Sequence, residues 1–275
     1  VPKSLTSIGF GSLEMELEIV NESIYDHPKY YDLVFGSDCA SELQFIEACA
    51  AQFMSGRVER LFEPACGTGR LLNHFAARGY RVGGIDLNPK AVAYCNDRLK
   101  RNGWEDRVQV ADMSAFKQPH KWDLAFNTIN SFRHLGTAAE AEGHFECMGK
   151  IVRRGGLYLL GIHLSPTNGI PEEGESWSAR RGHLAVNTRM WTVDRNPKTR
   201  IERFGIQFDV HTPRRQFRIV DELVLRSYTV KQMETLIAAS GVWEVLETYD
   251  FAYDLDSPLK VDSSTEDVVY VLRRL

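Results

Sequence analysis

The sequence predicts an α/β fold built on a mostly parallel sheet, and three observations carry that expectation. Apolar runs suited to buried strands alternate with stretches of helical spacing from residue 58 to residue 163. The first run hands over to a helix through a glycine-rich turn. Successive runs then close on acidic residues, first Asp86 and then Asp112. At 275 residues the chain can bury a full core and still carry a sizeable insertion.

The first unit is Leu61-Phe62-Glu63-Pro64-Ala65-Cys66-Gly67-Thr68-Gly69-Arg70. Val58, Leu61 and Phe62 suit a buried parallel strand, and the turn's glycines let a ligand touch the backbone because they lack a Cβ and tolerate positive φ. Leu71, Leu72, Phe75 and Ala76 then recur at helical spacing, with Gly79 placed to end the helix. The second strand, Tyr80 to Ile85, ends at Asp86, and Pro89 opens the next helix where its missing N–H costs little. An acid about 20 residues beyond such glycines is the usual partner of an adenosine ribose. A third strand over Arg107 to Val110 leads to Asp112 and Met113, an acid and an apolar side chain where an adenine ring would lie.

A strand at Trp122 to Phe126, a helix from Ala138 to Val152 and a strand at Leu157 to Ile162 follow, with Arg153-Arg154-Gly155-Gly156 as the reversal between the last two. Near the end, a helix from Val230 to Ala239 and strands at Trp243 to Tyr249 and Val268 to Leu272 suit an antiparallel edge. Upstream, residues 1–24 are weakly patterned and read as a partly ordered arm. The tyrosine-rich stretch from Tyr25 to Asp32 and a helix from Asp38 to Met54 come next. Residues 164–228 break the alternation. Three extended segments, at Ala185 to Val193, Arg200 to Val210 and Gln216 to Tyr228, read as an inserted antiparallel sheet lying over the strand ends as a substrate lid. The expected division is an arm and cap helix over 1–57, a ligand-binding α/β body over 58–163 and 229–275, and the inserted sheet over 164–228.

Two ligands compete for the glycine turn. A dinucleotide is disfavoured because the third position of a GxGxxG pattern is Leu72, and because Glu63 would repel a pyrophosphate while welcoming a cationic ligand. The order Glu63-x-x-x-Gly67-x-Gly69, Asp86, Asp112-Met113 and Phe126-Asn127 resembles the motif series of class I S-adenosylmethionine-dependent methyltransferases, over roughly residues 25 to 163. That resemblance implies a Rossmann-like seven-stranded sheet with S-adenosylmethionine as cofactor and S-adenosylhomocysteine as product. It implies that Asp86 holds the ribose, Asp112 the adenine amino group, Met113 the ring face and the Gly67–Gly69 turn the methionine part. Tyr31, Glu63, Ala65, Arg70, Leu87 and Asn127 complete the expected cofactor set; Arg70, beginning the first helix, reads as a partner for the cofactor carboxylate or equally as an exposed first-turn arginine.

Methyl transfer from a sulfonium is a displacement that chiefly demands orientation, which can be worth ~7 kcal/mol or more. An amine acceptor must also lose a proton before it attacks. His134, just beyond the fourth strand, and His163, closing the fifth, are the candidate bases, with a hydrogen-bonded loop histidine as the other reading of each. Tyr25, Tyr30 and Tyr31 supply a hydroxyl or an aromatic wall near a sulfonium, or core packing; Tyr25 joins the two histidines as a catalytic candidate.

The segment after the fourth strand is Asn127-Thr128-Ile129-Asn130, without the Pro-Pro-Tyr of enzymes that modify nucleic-acid bases or protein glutamine. With a net charge of −4 and no RNA-binding module, no nucleic-acid partner is expected. The resemblance is to small-molecule enzymes, including glycine N-methyltransferase-like proteins and nucleotide-linked amino-sugar N,N-dimethyltransferases, so an amine acceptor is expected. An O-methyltransferase of a small metabolite and a cofactor-binding regulator without turnover are the alternatives. Between Arg180 and Arg226 eleven Lys or Arg stand against five acids, which fits an anionic acceptor or a solvated sheet face. Five cysteines without CxxC spacing suggest neither a disulfide framework nor a metal site. The absence of an apolar run of about 20 residues or of a secretory pattern points to a cytoplasmic protein without membrane contact. The inserted sheet is also a candidate homo-oligomer surface.

Overall fold

The computed structural model describes residues 17–36, 39–105, 107–167 and 174–275. Residues 1–16 of the arm expected over 1–24, and the expected helix start at Asp38, lie outside the described residues. Element by element, the chain runs β1 (Glu18–Val20), α1 (Pro28–Phe35), α2 (Ala40–Phe53), β2 (Arg60–Pro64), α3 (Arg70–Ala77), β3 (Arg81–Asp86), α4 (Pro89–Arg101), β4 (Val108–Val110) and β5 (Trp122–Asn127). It continues with α5 (Ala138–Ile151), β6 (Val152–His163), β7 (Gly174–Arg181), β8 (Leu184–Asn196), β9 (Ile201–His211), β10 (Gln216–Arg226), α6 (Val230–Ala239), β11 (Trp243–Tyr249) and β12 (Asp267–Arg274).

Seven strands form one sheet in the order β11-β12-β6-β5-β2-β3-β4. Its pairings are parallel from β6 to β4, and β12 runs antiparallel to both neighbours. Strand order reverses between β2 and β5, so their carboxyl ends open a crevice of the kind where α/β sheets bind ligands. Both faces are covered. Phe62, Trp122, Tyr158, Phe145 and Met148 pack in one layer, while Leu61, Leu71, Phe75, Leu124 and Phe126 pack in the other. Burial on both faces is why β5 and β6 read as near-continuous apolar runs rather than alternating ones.

Where the sequence suggests a reversal at Arg153 to Gly156, β6 already begins at Val152. Trp122 pairs with Val152 and Leu124 with Leu157, so the extra residues form a bulge with Gly155 at φ 71°.

The second sheet has five strands, β1-β10-β9-β8-β7, rather than the three expected. Four come from the insertion, and β1, from the N-terminal segment, pairs parallel with β10. Its inner face packs on α1, with Leu33 and Val34 against Ile206, Phe208, Val210, Phe217 and Ile219. The turn after β1 is pinned by Asp221, which accepts from Ser23 Oγ at 3.0 Å and from the Ile24 N–H at 2.9 Å. The N-terminal segment therefore belongs to the lid as well as to the cap. Among the described residues, no helix is long and apolar enough to cross a membrane.

Candidate cofactor and acceptor site

The glycine turn is built to present backbone. Ala65, Gly67 and Gly69 have φ of 53°, 53° and 68°. A Cβ at Gly69 would meet Cys95 Sγ at 2.2 Å, so glycine is required there by close approach as well as by conformation. Asp86 closes β3 beside this turn. Its carboxylate accepts from the Gly67 N–H and the Asn88 N–H at 2.8 Å each, which fixes its orientation. Burial pushes the Asp86 pKa up, and these two backbone donors oppose that rise. Asn88 caps α4 and donates to Asp26 Oδ1 at 2.7 Å, joining the N-terminal cap to the same corner. Asp112 Oδ1 accepts from Ser114 N–H and Oγ, both at 2.7 Å, which shapes the loop that presents Met113.

A cavity of about 1080 Å³ lies between the strand ends and the lid. Ala65, Gly67, Asp86, Leu87, Asp112 and Met113 line it from the α/β body, Tyr25 and Tyr31 from the cap, His134 from the turn after β5 and His163 from the end of β6. Trp177, Met190, Trp191, Phe204 and Ile206 complete it from the lid. Its size lies just above the range of about 300–1,000 Å³ usual for a ligand pocket.

Four residues expected to bind cofactor are not among those that line the cavity directly: Glu63, Gly69, Arg70 and Asn127. The reason is clearest for Arg70. Its guanidinium forks onto both oxygens of Glu42, with Nη2 to Oε1 at 2.6 Å, and their side chains are only 14% and 4% exposed. Burial opposes the Arg70 charge, and Glu42 more than offsets it. Glu42 also accepts from Thr128 Oγ1 at 2.6 Å. Arg70 is thus engaged within the protein instead of being offered to a ligand carboxylate. Glu42, on α2, carried no motif that would have pointed to this pairing.

Glu63 is buried, which pushes its pKa well up, with Arg70 pulling it part of the way back. Its Oε2 has no hydrogen-bond partner among the described residues, and neither has Asn127 Oδ1, although Asn127 Nδ2 donates to Pro64 O at 2.9 Å. Two unpaired buried acceptors beside the glycine turn fit a cationic group such as the ammonium of S-adenosylmethionine. They do not fit a pyrophosphate.

His134 ends the short helical turn Ser131–His134, which Asn130 starts at φ 57°. Its Nε2 lies 3.0 Å from Tyr25 Oη, and Tyr25 in turn packs on Tyr31 at 5.4 Å between ring centroids. Desolvation by its surroundings, reinforced by the neighbouring Arg133 charge, lowers the His134 pKa, which favours the neutral imidazole. Burial raises Tyr25 well above the ordinary phenol value, so it stays a hydroxyl. Arg133 bonds to Glu202 of β9 and donates to Arg226 O at 3.0 Å, tying this turn to the lid. His163 is held differently, by Nδ1 to Asp267 Oδ1 and by its amide N–H to Asn130 Oδ1 at 3.1 Å. No sequence signal pairs His163 with Asp267; the β6–β12 register does.

Asp32 on α1 was also missed. It is buried and accepts from Arg98 Nη1 at 2.6 Å, Thr68 Oγ1 at 3.2 Å and Arg181 Nη1 at 3.3 Å, joining the cap, the glycine turn, α4 and the lid. Of the eleven cations between Arg180 and Arg226, Arg195 alone lines the cavity. Others pair across the sheet, Arg203 with Glu222 at 2.7 Å, Arg215 with Glu18 at 2.8 Å and Arg218 with Asp209 at 2.6 Å.

The strand order, the glycine turn bonded to Asp86 and the Asp112–Met113 loop are the arrangement that the motif series of class I S-adenosylmethionine-dependent methyltransferases leads one to expect. Residues 62–156 match a family model described as a methyltransferase domain. The particular likenesses include methyltransferases of amino sugars. Over 138 residues, 49% of this chain, the sequence is 25% identical to a dTDP-3-amino-3,4,6-trideoxy-alpha-D-glucopyranose N,N-dimethyltransferase of Streptomyces venezuelae. That match spans 56% of the relative's length. Among solved structures, an S-adenosylmethionine-dependent methyltransferase from Clostridium acetobutylicum superposes with a TM-score of 0.71 at 19% identity, covering 90% of this chain and 96% of that one. CalS10, an amino pentose methyltransferase of Micromonospora echinaspora solved with S-adenosylmethionine bound, gives 0.68 at 21% identity, covering 93% and 99%. At these identities the structures establish the shared fold.

Proposed function

We propose that the protein is an S-adenosylmethionine-dependent N-methyltransferase acting on a small-molecule amine of the amino-sugar class. The observation that carries this reading is one continuous cavity joining the Asp86–Asp112 corner to a chamber where a neutral His134 meets the Tyr25 hydroxyl. Asp86 would hold the ribose hydroxyls, Asp112 and Met113 the adenine, and the turn beside Glu63 the methionine end. Bound S-adenosylmethionine supplies an already activated methyl group.

The chain's own task is then to orient the amine and remove its proton. With Nε2 of His134 unprotonated, Tyr25 Oη donates to it. The ammonium's proton reaches Nε2 through this hydroxyl, which gives up its own proton as it takes the new one. Such a relay is typically worth about 10²–10⁴-fold in rate. The lid's Trp177, Trp191 and Phe204 offer apolar faces to a sugar ring and cation–π faces to its ammonium. Arg195 is the group we assign to an anionic part of the acceptor. The names of the relatives, amino-sugar N-methylating enzymes among them, support the same class. A reducing cytoplasm suits five buried cysteines that form no disulfide among the described residues.

Calorimetric titration with S-adenosylmethionine and S-adenosylhomocysteine, with NAD as competitor, tests the cofactor. Micromolar binding lost in Asp86→Ala supports the reading, and preference for NAD overturns it. In a screen of nucleotide-linked amino sugars, His134→Ala should lower kcat by about 10²-fold with S-adenosylhomocysteine affinity unchanged. Full activity in that variant removes His134 from the mechanism.

A further inference from the structure

One buried titratable group has no part in the proposed reaction yet touches both halves of its machinery. His144, on α5, is fully buried, with Nδ1 at 3.0 Å from Met113 O and Nε2 at 2.8 Å from Tyr158 Oη. A carbonyl can only accept, so Nδ1 donates to Met113. In a neutral ring Nε2 must then accept, so Tyr158 donates to it. Burial pushes the His144 pKa down to about 4, which keeps the ring neutral and in this single tautomer.

Two further contacts from the same helix bear on the same loop. Cys147 Sγ lies 3.6 Å from Ser114 O, and a Cβ at Gly143 would meet Ser114 O at 2.6 Å. Residues 143, 144 and 147 share one helical face, so α5 presses its backbone and two donors against the carbonyls of Met113 and Ser114. On its other side the imidazole packs edge-on against Phe132 at 5.4 Å, and Phe132 belongs to the turn that carries His134. The loop bearing Asp112 and Met113 is therefore held from behind by groups that never reach the cavity.

We propose that His144 is a positioning residue for the base-recognition end of the cofactor site. Through the Met113 carbonyl it holds the 111–115 loop where Asp112 can select a purine bearing a 6-amino group. The proposal rests on the cofactor reading above and adds which residue sets base selectivity from outside the pocket. A histidine that merely fills the core would leave selectivity alone when replaced.

The test compares S-adenosylhomocysteine with S-inosylhomocysteine, which carries a 6-oxo group in place of the amine, by calorimetry on the full chain. Three variants are used: His144→Asn, His144→Leu and Gly143→Ala. Asparagine, whose Nδ2 takes the place of the ring's Nδ1, can still donate to Met113 O and should stay within about threefold of the wild-type preference for the amino form. His144→Leu removes the donor, and Gly143→Ala pushes on Ser114 O without touching the imidazole. Both should cut the preference by about tenfold, and the glycine variant carries the test if the leucine variant does not fold. Equal weakening of both ligands, or an unchanged preference, overturns the proposal. Wild type binding neither ligand overturns the cofactor reading and this inference together.

Discussion

Asp32 is the side chain whose removal should cost this fold most for its size. The Asp32 carboxylate is 4% exposed, Arg98 24% and Arg181 60%. Removing one partner of a buried ion pair typically costs about 3–5 kcal/mol. Because Arg98 keeps partial access to water, about 2–3 kcal/mol is the appropriate share here. The largely exposed Arg181 adds about 0.5 kcal/mol or less. Asparagine can still accept from Thr68, so that bond is retained. Asp32→Asn should therefore lower the free energy of unfolding by about 3 kcal/mol in urea titrations. A double-mutant cycle with Arg98→Met should return a coupling of about 2 kcal/mol, since the methionine retains much of the stem's packing. A loss below about 1 kcal/mol together with a cycle that closes near zero would show that the clamp contributes contacts but no net stability.

Two further outcomes follow from positions already described. His144 titrates at about 4 in the fold against about 6.5 in an unfolded chain. Its contribution is fully present above about pH 6.5 and is lost as pH falls towards 4, by about 3 kcal/mol in all. Glu63 and Asp86, raised by burial, work in the opposite sense, losing stability as pH rises past their unfolded values. Subtracting the His144→Gln stability curve from that of wild type isolates the histidine, and parallel curves would contradict its assignment. Gly69→Ala combines a φ of 68° with a Cβ 2.2 Å from Cys95 Sγ, while a Cβ at Gly67 meets nothing within 4 Å. The first substitution should cost about 2–4 kcal/mol and cofactor affinity, and the second about 1–2 kcal/mol. Thermal denaturation of the two variants decides, and the reverse ranking would refute the close-packing argument.

Much of the α/β body was legible because its signals are local. The glycine turn, Pro89 at a helix start and Asp86 at a strand end lie within a few residues of the geometry they set, and α6 and β11 occupy the spans their spacing suggests. What escaped was non-local. β1 is only three residues long and gains its partner β10 almost 200 positions away. β7, Gly-Glu-Ser-Trp-Ser-Ala-Arg-Arg, has too few apolar residues to show an alternation. Arg70 looked available because nothing in its neighbourhood reveals Glu42 on another helix. The cationic excess over residues 180–226 could not be divided between ligand and sheet until register set Arg203, Arg215 and Arg218 beside their acids.

The segment from Glu18 to Phe35 serves as a strand of the lid and then, some eight residues later, as the cap over the glycine turn. The lid cannot swing away like a flap without dragging that cap from Thr68 and Arg98. Lid and cap are therefore one continuous piece of chain: the run that closes the chamber side of the cavity also holds its glycine-turn side, so a change at either wall bears on the other.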